Sequence, residues 1–188
     1  MPRLSLPQNP SPEQAKVIAE VISGKRGHVP GPMIGWLPNP ELARRAQRLG
    51  ELLRYETSLE PALSELAILI CGRHWTSHYE WTAHKRIALE AGLDPQTIAD
   101  IAANKSMPFL RNPREQAVHQ VATTLLAQTK LGDALYAHGI TVLGERGMVD
   151  LVGILGYYSL VALTLNAFEL GLPDALAPEL LPRSKETL

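Results

Sequence analysis

"EPALSELAILICGRHWTSHYEWTAHKRIALEAG", residues 60–92, decides how the chain is read. It divides into two amphipathic runs, "EPALSELAILICGRHW" and "HYEWTAHKRIALEA", whose apolar residues recur at the three- and four-residue spacing of a helix. Between them Ser77-His78-Tyr79-Glu80 has the S-x-x-E form of a capping box. In that motif the hydroxyl accepts from a first-turn N–H while the carboxylate reaches back to the cap. Two helices are therefore predicted, meeting near Gly72–Ser77. On this reading Ser77 and Glu80 are a cap with no chemistry.

The same stretch gathers His74, His78, His84, Glu80, two tryptophans and Cys71, the single cysteine. His74 and His78 have the i, i+4 spacing that chelates zinc on one helix face, but the predicted break falls between them. On the second helix His78 and His84 lie about 240° apart around the axis and face different directions. No Asp or Cys falls at a complementary spacing, so no metal site is predicted. An acid–base site fits better. Ser77, Glu80 or Trp81, His84, Ala88 and Ala91 follow one helix face, polar at its start and apolar beyond. Glu65 opens the apolar run "LAILI" and is expected to be at least partly buried, where a carboxylate needs a partner. If the helices fold back on each other, Glu65 and His84 meet. Spacing alone leaves two readings of that pair, a packing device or a catalytic couple.

The rest of the chain bounds the answer. Its 188 residues, 45% hydrophobic and 20% charged, suit one globular domain with an arm. A formal net charge of −1 with scattered Lys and Arg argues against a nucleic-acid partner. One cysteine excludes an internal disulfide or dithiol redox pair. The opening "MPRLSLPQNPSPEQ" lacks the apolar core of a secretory signal, so a cytoplasmic protein is expected. The uncharged run "LVGILGYYSLVALTLNAF", 151–168, has the length of a borderline membrane span. Its Gly, Tyr, Ser, Thr and Asn content, and the bracketing Asp150 and Glu169, argue instead for a helix buried in protein or at an oligomer interface.

No alternating strand pattern of any length appears, and helix starts are frequent. Ser11-Pro12-Glu13-Gln14, Asn39-Pro40-Glu41, Asp94-Pro95 and Asn112-Pro113-Arg114-Glu115 each pair a capping residue with a first-turn proline. Gly92, Gly132, Gly147 and Gly171 stand where helices are expected to stop. The exception is "GKRGHVPGPMIGWLPNP", 24–40, whose Gly and Pro predict an extended path. Its Met33, Ile34, Trp36 and Leu37 mark it as a packed connector or a lid over a pocket or a neighbouring subunit. The expected organisation is an N-terminal helix and Pro/Gly-rich arm (1–37), a helical domain (38–172) and a Pro-rich tail (173–188). The expected fold is all-α, with about six to eight helices and a central antiparallel pair.

These residues carry a resemblance. "SELAILICGRHWTSHYEWTAHKRIALEAGLD", with "GPMIGWLPNPELA" before it and "DLVGILGYYSLVALTLNAFELGLP" after it, resembles the carboxymuconolactone decarboxylase family, which includes the AhpD-type alkylhydroperoxidases. In the peroxidase branch the motif is a Glu, a C-x-x-C pair, and a His four residues after the second Cys. The resemblance puts Glu65 and His84 at the Glu and His positions, and Ser77 and Glu80 at the two cysteine positions. Neither Ser nor Glu can cycle through a sulfenic acid and a disulfide, and Cys71 lies outside the pattern.

The decarboxylase branch is the closer implication. It carries a small carboxylated lactone or related cyclic acid as substrate and needs no cofactor. Loss of CO2 beside an unsaturated lactone leaves a dienolate, which must be stabilised at oxygen and protonated at carbon. His84 then serves as proton donor or base, Glu65 as its partner and Glu80 as a proton relay or hydroxyl ligand. Ser77 and Tyr79 are expected beside the substrate, Trp75 and Trp81 as pocket walls, and Arg73 as a grip for a carboxylate unless it is simply exposed. The resemblance also implies a homo-oligomer, a trimer or hexamer, with a dimer as the smaller option. A thiol peroxidase relying on Cys71 and a non-catalytic family member are the alternative functions.

Overall fold

The computed structural model describes residues 2–25, 27–172 and 176–182. Among them are eight helices and no strand: α1 (Pro12–Ser23), α2 (Gly31–Trp36), α3 (Pro40–Tyr55), α4 (Pro61–His74), α5 (His78–Glu90), α6 (Pro95–Ala102), α7 (Pro113–Gln128) and α8 (Asp133–Ala167). The architecture is the expected all-α one. The four helix starts read from sequence hold for a common reason. In α1 the Gln14 N–H donates to Ser11 Oγ and the Ser11 N–H to Gln14 Oε1, a complete capping box. Asn39, Asp94 and Asn112 accept from first-turn N–H groups of α3, α6 and α7. Each is followed by a proline, which has no N–H to leave unpaired.

The predicted stops fare less well. Gly92, with φ 88°, follows α5 as expected. Thr129 in the left-handed region ends α7, and Gly132 instead caps the start of α8. The break within α8 falls at Gly144 (φ 76°, ψ 166°), not at Gly147. Gly147 is a packing glycine, since a Cβ there would press on Leu143 and Leu59 at 3.2 and 3.4 Å. Gly171 lies beyond the end of α8 at Ala167. In sequence, a glycine needed for positive φ looks the same as one needed for close packing.

α4 is the centre of the molecule. Every residue from Leu63 to Arg73 is buried, and the helix packs against α5, α7 and α8. α5 returns antiparallel beside it, as predicted. α8 is long and apolar enough to cross a membrane by length and composition, but Leu151, Ile154, Leu155, Tyr158, Val161 and Leu165 are buried. Its opposite face is exposed, with Val149, Val152, Leu160 and Leu163 in contact with solvent.

The 24–40 segment corrects an expectation, since part of it is the short helix α2 rather than extended chain. A proline in a first turn starts a helix as readily as one in the interior stops it, and Pro32 stands in that first turn. Met33 and Leu37 are fully buried, and Trp36 Nε1 donates to Thr164 Oγ1 of α8 at 2.8 Å. The segment is thus packed in place over α8. Of the Pro-rich tail, the described part also packs: Leu180 is buried and Glu179 pairs with Lys85.

Candidate acid–base site

The α4–α5 corner is closed by backbone hydrogen bonds that end α4 in a Schellman motif. The Ser77 N–H donates to Gly72 O at 2.8 Å and the Thr76 N–H to Arg73 O at 3.1 Å. Thr76 takes the left-handed position, φ 50°, unusual for a β-branched residue and a locally strained one. This corner overturns the capping box. Ser77 occupies the N-cap position of α5, but its hydroxyl caps nothing and has no hydrogen-bond partner among the described residues. Its N–H, which Glu80 would have had to accept, is already committed to Gly72. Glu80 therefore turns inward.

The Glu80 carboxyl is 2% exposed, and neither of its oxygens has a hydrogen-bond partner among the described residues. It lies against Gly72, where an added Cβ would sit 3.7 Å from Oε1. Burial raises its pKa well above the usual carboxylate range and favours the neutral acid. Glu65 has the opposite surroundings. Although equally buried, it accepts from His84 Nδ1 at 2.7 Å. That bond fixes the imidazole and leaves Nε2 as the ring nitrogen for chemistry. The far side of the ring is held edge-on by Tyr158, with centroids 5.0 Å apart, and Tyr158 is braced in turn by Tyr157.

A cavity of about 150 Å³ opens beside this pair. Tyr79, Glu80 and His84 of α5 line it, with Tyr157 and Tyr158 of α8. The 24–40 segment contributes His28, Pro30, Pro32 and Trp36. Tyr79 ties the two walls together, its hydroxyl accepting from the Gly31 N–H at 3.1 Å. Arg54 and Arg86 add positive charge to the lining.

Four expected substrate contacts are not at this cavity. Trp81 is 1% exposed and borders a different hollow with Lys85, Pro95 and Ile98. Trp75 Nε1 donates to Ser159 Oγ at 2.9 Å. Ser77 is buried at the corner. Arg73 lies at the C-terminal end of α4, lining another cavity, and at 7% exposure it is not the surface residue of the alternative reading either. Arg73 and Trp75 belong to the end of α4 and Ser77 to the corner, while Trp81, one turn before His84 on α5, leans to the side that borders α6. Sequence reasoning missed Arg54, Arg86 and His28 as lining residues, while Trp36 stood in the segment read as a connector or a lid. Arg54 and His28 reach the cavity only through the tertiary packing of α3 and the 24–40 segment, and Arg86, on α5 itself, was passed over as an ordinary charged residue of that helix. Tyr157 and Tyr158 stood in the quoted G-Y-Y run without an assigned role.

His74 and His78 flank the break, and among the described residues no three His, Cys, Asp or Glu side chains converge as metal ligands. Cys71 is fully buried, its thiol 3.7 Å from Leu155 O and 3.5 Å from Ser159 Oγ. Burial, with Glu80 nearby, pushes that thiol up to about 12, where almost no thiolate exists near neutrality.

Known proteins share this arrangement of helices. An AhpD-core, peroxidase-related protein from Ralstonia eutropha superposes with a TM-score of 0.74 at 16% identity, over 93% of this chain and 95% of that one. A peroxidase-related protein from Silicibacter gives 0.72 at 20% identity, over 93% and 92%. A cysteine-to-alanine variant of the debrominase Bmp8, solved with 2,3,4-tribromopyrrole, gives 0.71 at 14% identity, over 92% and 91%. At these identities the likeness is one of fold. No curated protein matches in sequence. Residues 40–124 match the carboxymuconolactone decarboxylase family, and that span contains α3 to α6, the corner and the Glu65–His84 pair. Over residues 40–124 the chain is thus similar to the carboxymuconolactone decarboxylase family, and over most of its length it has the helical fold of the AhpD-core protein.

Proposed function

We propose that this protein is an acid–base enzyme, a decarboxylase-like carbon–carbon lyase acting on a small carboxylated lactone or related cyclic acid. The observation that carries the reading is the buried Glu65–His84 hydrogen bond at 2.7 Å beside a cavity lined also by Glu80, whose carboxyl has no hydrogen-bond partner among the described residues. In the reaction, the bond between the ring and its carboxylate breaks and CO2 leaves. The electron pair passes into the unsaturated lactone as a dienolate. His84 delivers a proton to carbon from Nε2, and Glu65 holds the ring in place and stabilises its charged form. Glu80, as a neutral acid, donates its O–H to the developing oxyanion. The positive charge first assigned to Arg73 comes instead from Arg54 and Arg86, and Tyr79 and the 24–40 segment wall the substrate from water.

A thiol peroxidase is disfavoured, because Cys71 is inaccessible and Ser77 and Glu80 occupy the positions where that branch has cysteines. For the assembly, we place a second copy of the chain on the exposed α8 stripe of Val149, Val152, Leu160 and Leu163. The trimer or hexamer of the family reading is retained as the expected state in solution, and the cytoplasm as the compartment.

The deciding experiment follows the ultraviolet absorbance of 4-carboxymuconolactone, with CO2 trapped in parallel, for wild type and His84→Ala. Turnover lost in the variant supports the reaction and the residue together. Folded wild-type protein that releases no CO2 from this or other cyclic acids overturns the lyase reading. If His84→Ala and Glu65→Gln then change stability alone, the chain is a non-catalytic member.

A further inference from the structure

The α4–α5 corner buries polar groups that the proposed reaction does not pair with one another. Ser77 is 1% exposed, and among the described residues neither its hydroxyl nor either Glu80 oxygen has a hydrogen-bond partner. Both side chains stand beside Gly72 of α4. The Ser77 N–H is held by Gly72 O, and a Cβ built on Gly72 would have Trp81 N, Glu80 Oε1 and Glu80 Cγ as its nearest neighbours, at 3.6, 3.7 and 3.8 Å. Those are ordinary contact distances, so the space beside Glu80 Oε1 takes a group of about methyl size. α5 begins at this corner without a side-chain cap, which leaves first-turn N–H groups there as further donors.

A buried hydroxyl and a buried carboxyl without partners are costly, and folded proteins answer such groups with protein atoms or with ordered water. The neighbouring protein groups are already engaged. Gly72 O takes the Ser77 N–H, Ser77 O takes the Trp81 N–H at 2.9 Å, and the Cys71 thiol lies against Leu155 O and Ser159 Oγ. An occupant of the corner has to be small, and has to donate and accept at once. Water meets both conditions and finds several polar partners here. A neutral water does not offset the burial of a charge, so Glu80 keeps the neutral form that burial favours.

We propose that Gly72, Ser77 and Glu80 form a site for one internal water, which donates to Glu80 Oε1 and accepts from the Ser77 hydroxyl. Gly72 supplies the space, and Ser77 acts through the water as a positioning residue for Glu80. With Oε1 engaged as an acceptor, the proton of the neutral carboxyl sits on Oε2. That O–H is left for the His84 cavity, which Glu80 also lines. The water site does not depend on the lyase reading; only the use of that O–H does.

The test is the infrared carbonyl band of neutral Glu80, identified as the band that Glu80→Gln removes from the full-length protein in mildly acidic buffer. Accepting a hydrogen bond lowers the frequency of a carbonyl stretch, so the wild-type band is expected at the position of a hydrogen-bonded acid. Gly72→Ala puts a methyl group in the place of the water and should move the band up to that of a free acid. Ser77→Ala removes one partner of the water and should move it by less. A crystal structure supplies the second readout, a water within hydrogen-bond distance of both Ser77 Oγ and Glu80 in wild type and none in Gly72→Ala. If Gly72→Ala does not fold, the wild-type structure and the Ser77→Ala band decide. No carbonyl band lost in Glu80→Gln, or a band left in place by Gly72→Ala or by Ser77→Ala, overturns the site. So does a Ser77 hydroxyl bonded directly to Glu80 with no water between them. None of these readouts uses substrate, so a protein that turns over no lactone leaves the test intact.

Discussion

Glu65 and Glu80 are the same residue type, on facing helices, almost equally buried, and in opposite situations. Glu65 has His84 at 2.7 Å; Glu80 has no hydrogen-bond partner among the described residues, and burial alone raises its pKa. A carboxyl with a partner becomes an anchor and orients its neighbour. One without a partner is driven toward its neutral form, which can donate a hydrogen bond that a carboxylate cannot. Two carboxyl groups separated in this way are how one site assigns acid and base roles. Substitutions that erase the difference should therefore show which of them serves chemistry and which serves packing.

The largest effect is expected at His84. His84→Ala leaves Glu65 buried without its partner, and breaking a buried pair from one side costs about 3–5 kcal/mol. Urea unfolding should show a loss of that order. Turnover on the lactone should fall by about 10²–10⁴, the usual contribution of a positioned acid–base group. Glu65→Gln keeps an acceptor for Nδ1 and should destabilise less, by about 1 kcal/mol, while still lowering turnover. A His84→Ala variant as stable as wild type would remove Glu65 from the role of anchor.

Glu80→Gln tests the other half through pH. The folded-state pKa of Glu80 is raised above its ordinary value of 4.5. From pH 4.5 upward the unfolded chain releases this proton while the folded chain keeps it. Its contribution to stability is therefore fully present below pH 4.5 and is lost as pH rises toward the folded value. The slope approaches about 1.4 kcal/mol per pH unit. Glu80→Gln carries no such proton and should flatten the curve, ending about 1–3 kcal/mol more stable than wild type at neutral pH. Parallel urea midpoints at pH 5 and pH 7.5 check it. Identical slopes in the two proteins would mean that Glu80 has found a partner in solution.

How much of this was legible in the sequence follows from where each signal resides. Helix starts were readable because Ser11, Asn39, Asp94 and Asn112 act within three residues of themselves. The α4–α5 pair and the meeting of Glu65 with His84 followed from period and a break, again local information. The capping box at Ser77 was misread because its N–H is taken by Gly72, a bond belonging to the end of the previous helix. Arg73 and Trp75 end α4 beyond the reach of the cavity, and Trp81, although one turn from His84, packs toward α6. Which side of a shared helix stripe borders the cavity is decided by the neighbouring helices, which local spacing does not show. Trp36 was legible as part of a connector or lid, but Arg54 was invisible because only the packing of α3 brings it to the cavity.

A smaller effect separates the walls of the site from its acids. A Cβ on Gly31 would sit 2.7 Å from the Tyr79 ring, and the Gly31 N–H is also the donor to that ring's hydroxyl. Gly31→Ala should displace Tyr79 and widen the seam between α5 and the 24–40 segment at a stability cost of about 1–2 kcal/mol. Because neither His84 nor Glu80 is touched, KM should rise severalfold while kcat changes little. A fall in kcat with KM unchanged would show instead that Tyr79 takes part in the transition state.

The smallest effect belongs to the residue that draws the eye first. Cys71 is buried beside Leu155 and Ser159, and its thiol is held at about 12. Reaction with a thiol reagent needs both access and thiolate, so labelling in native buffer should track global unfolding. Cys71→Ala removes one sulfur from a tight core and should cost about 1 kcal/mol, with lactone turnover unchanged. Peroxide consumption with a dithiol reductant should be absent in both proteins. Rapid labelling of the folded chain, or peroxide turnover abolished by the substitution, would return the sulfur to the chemistry. The contrast of two carboxyls would then no longer describe the site.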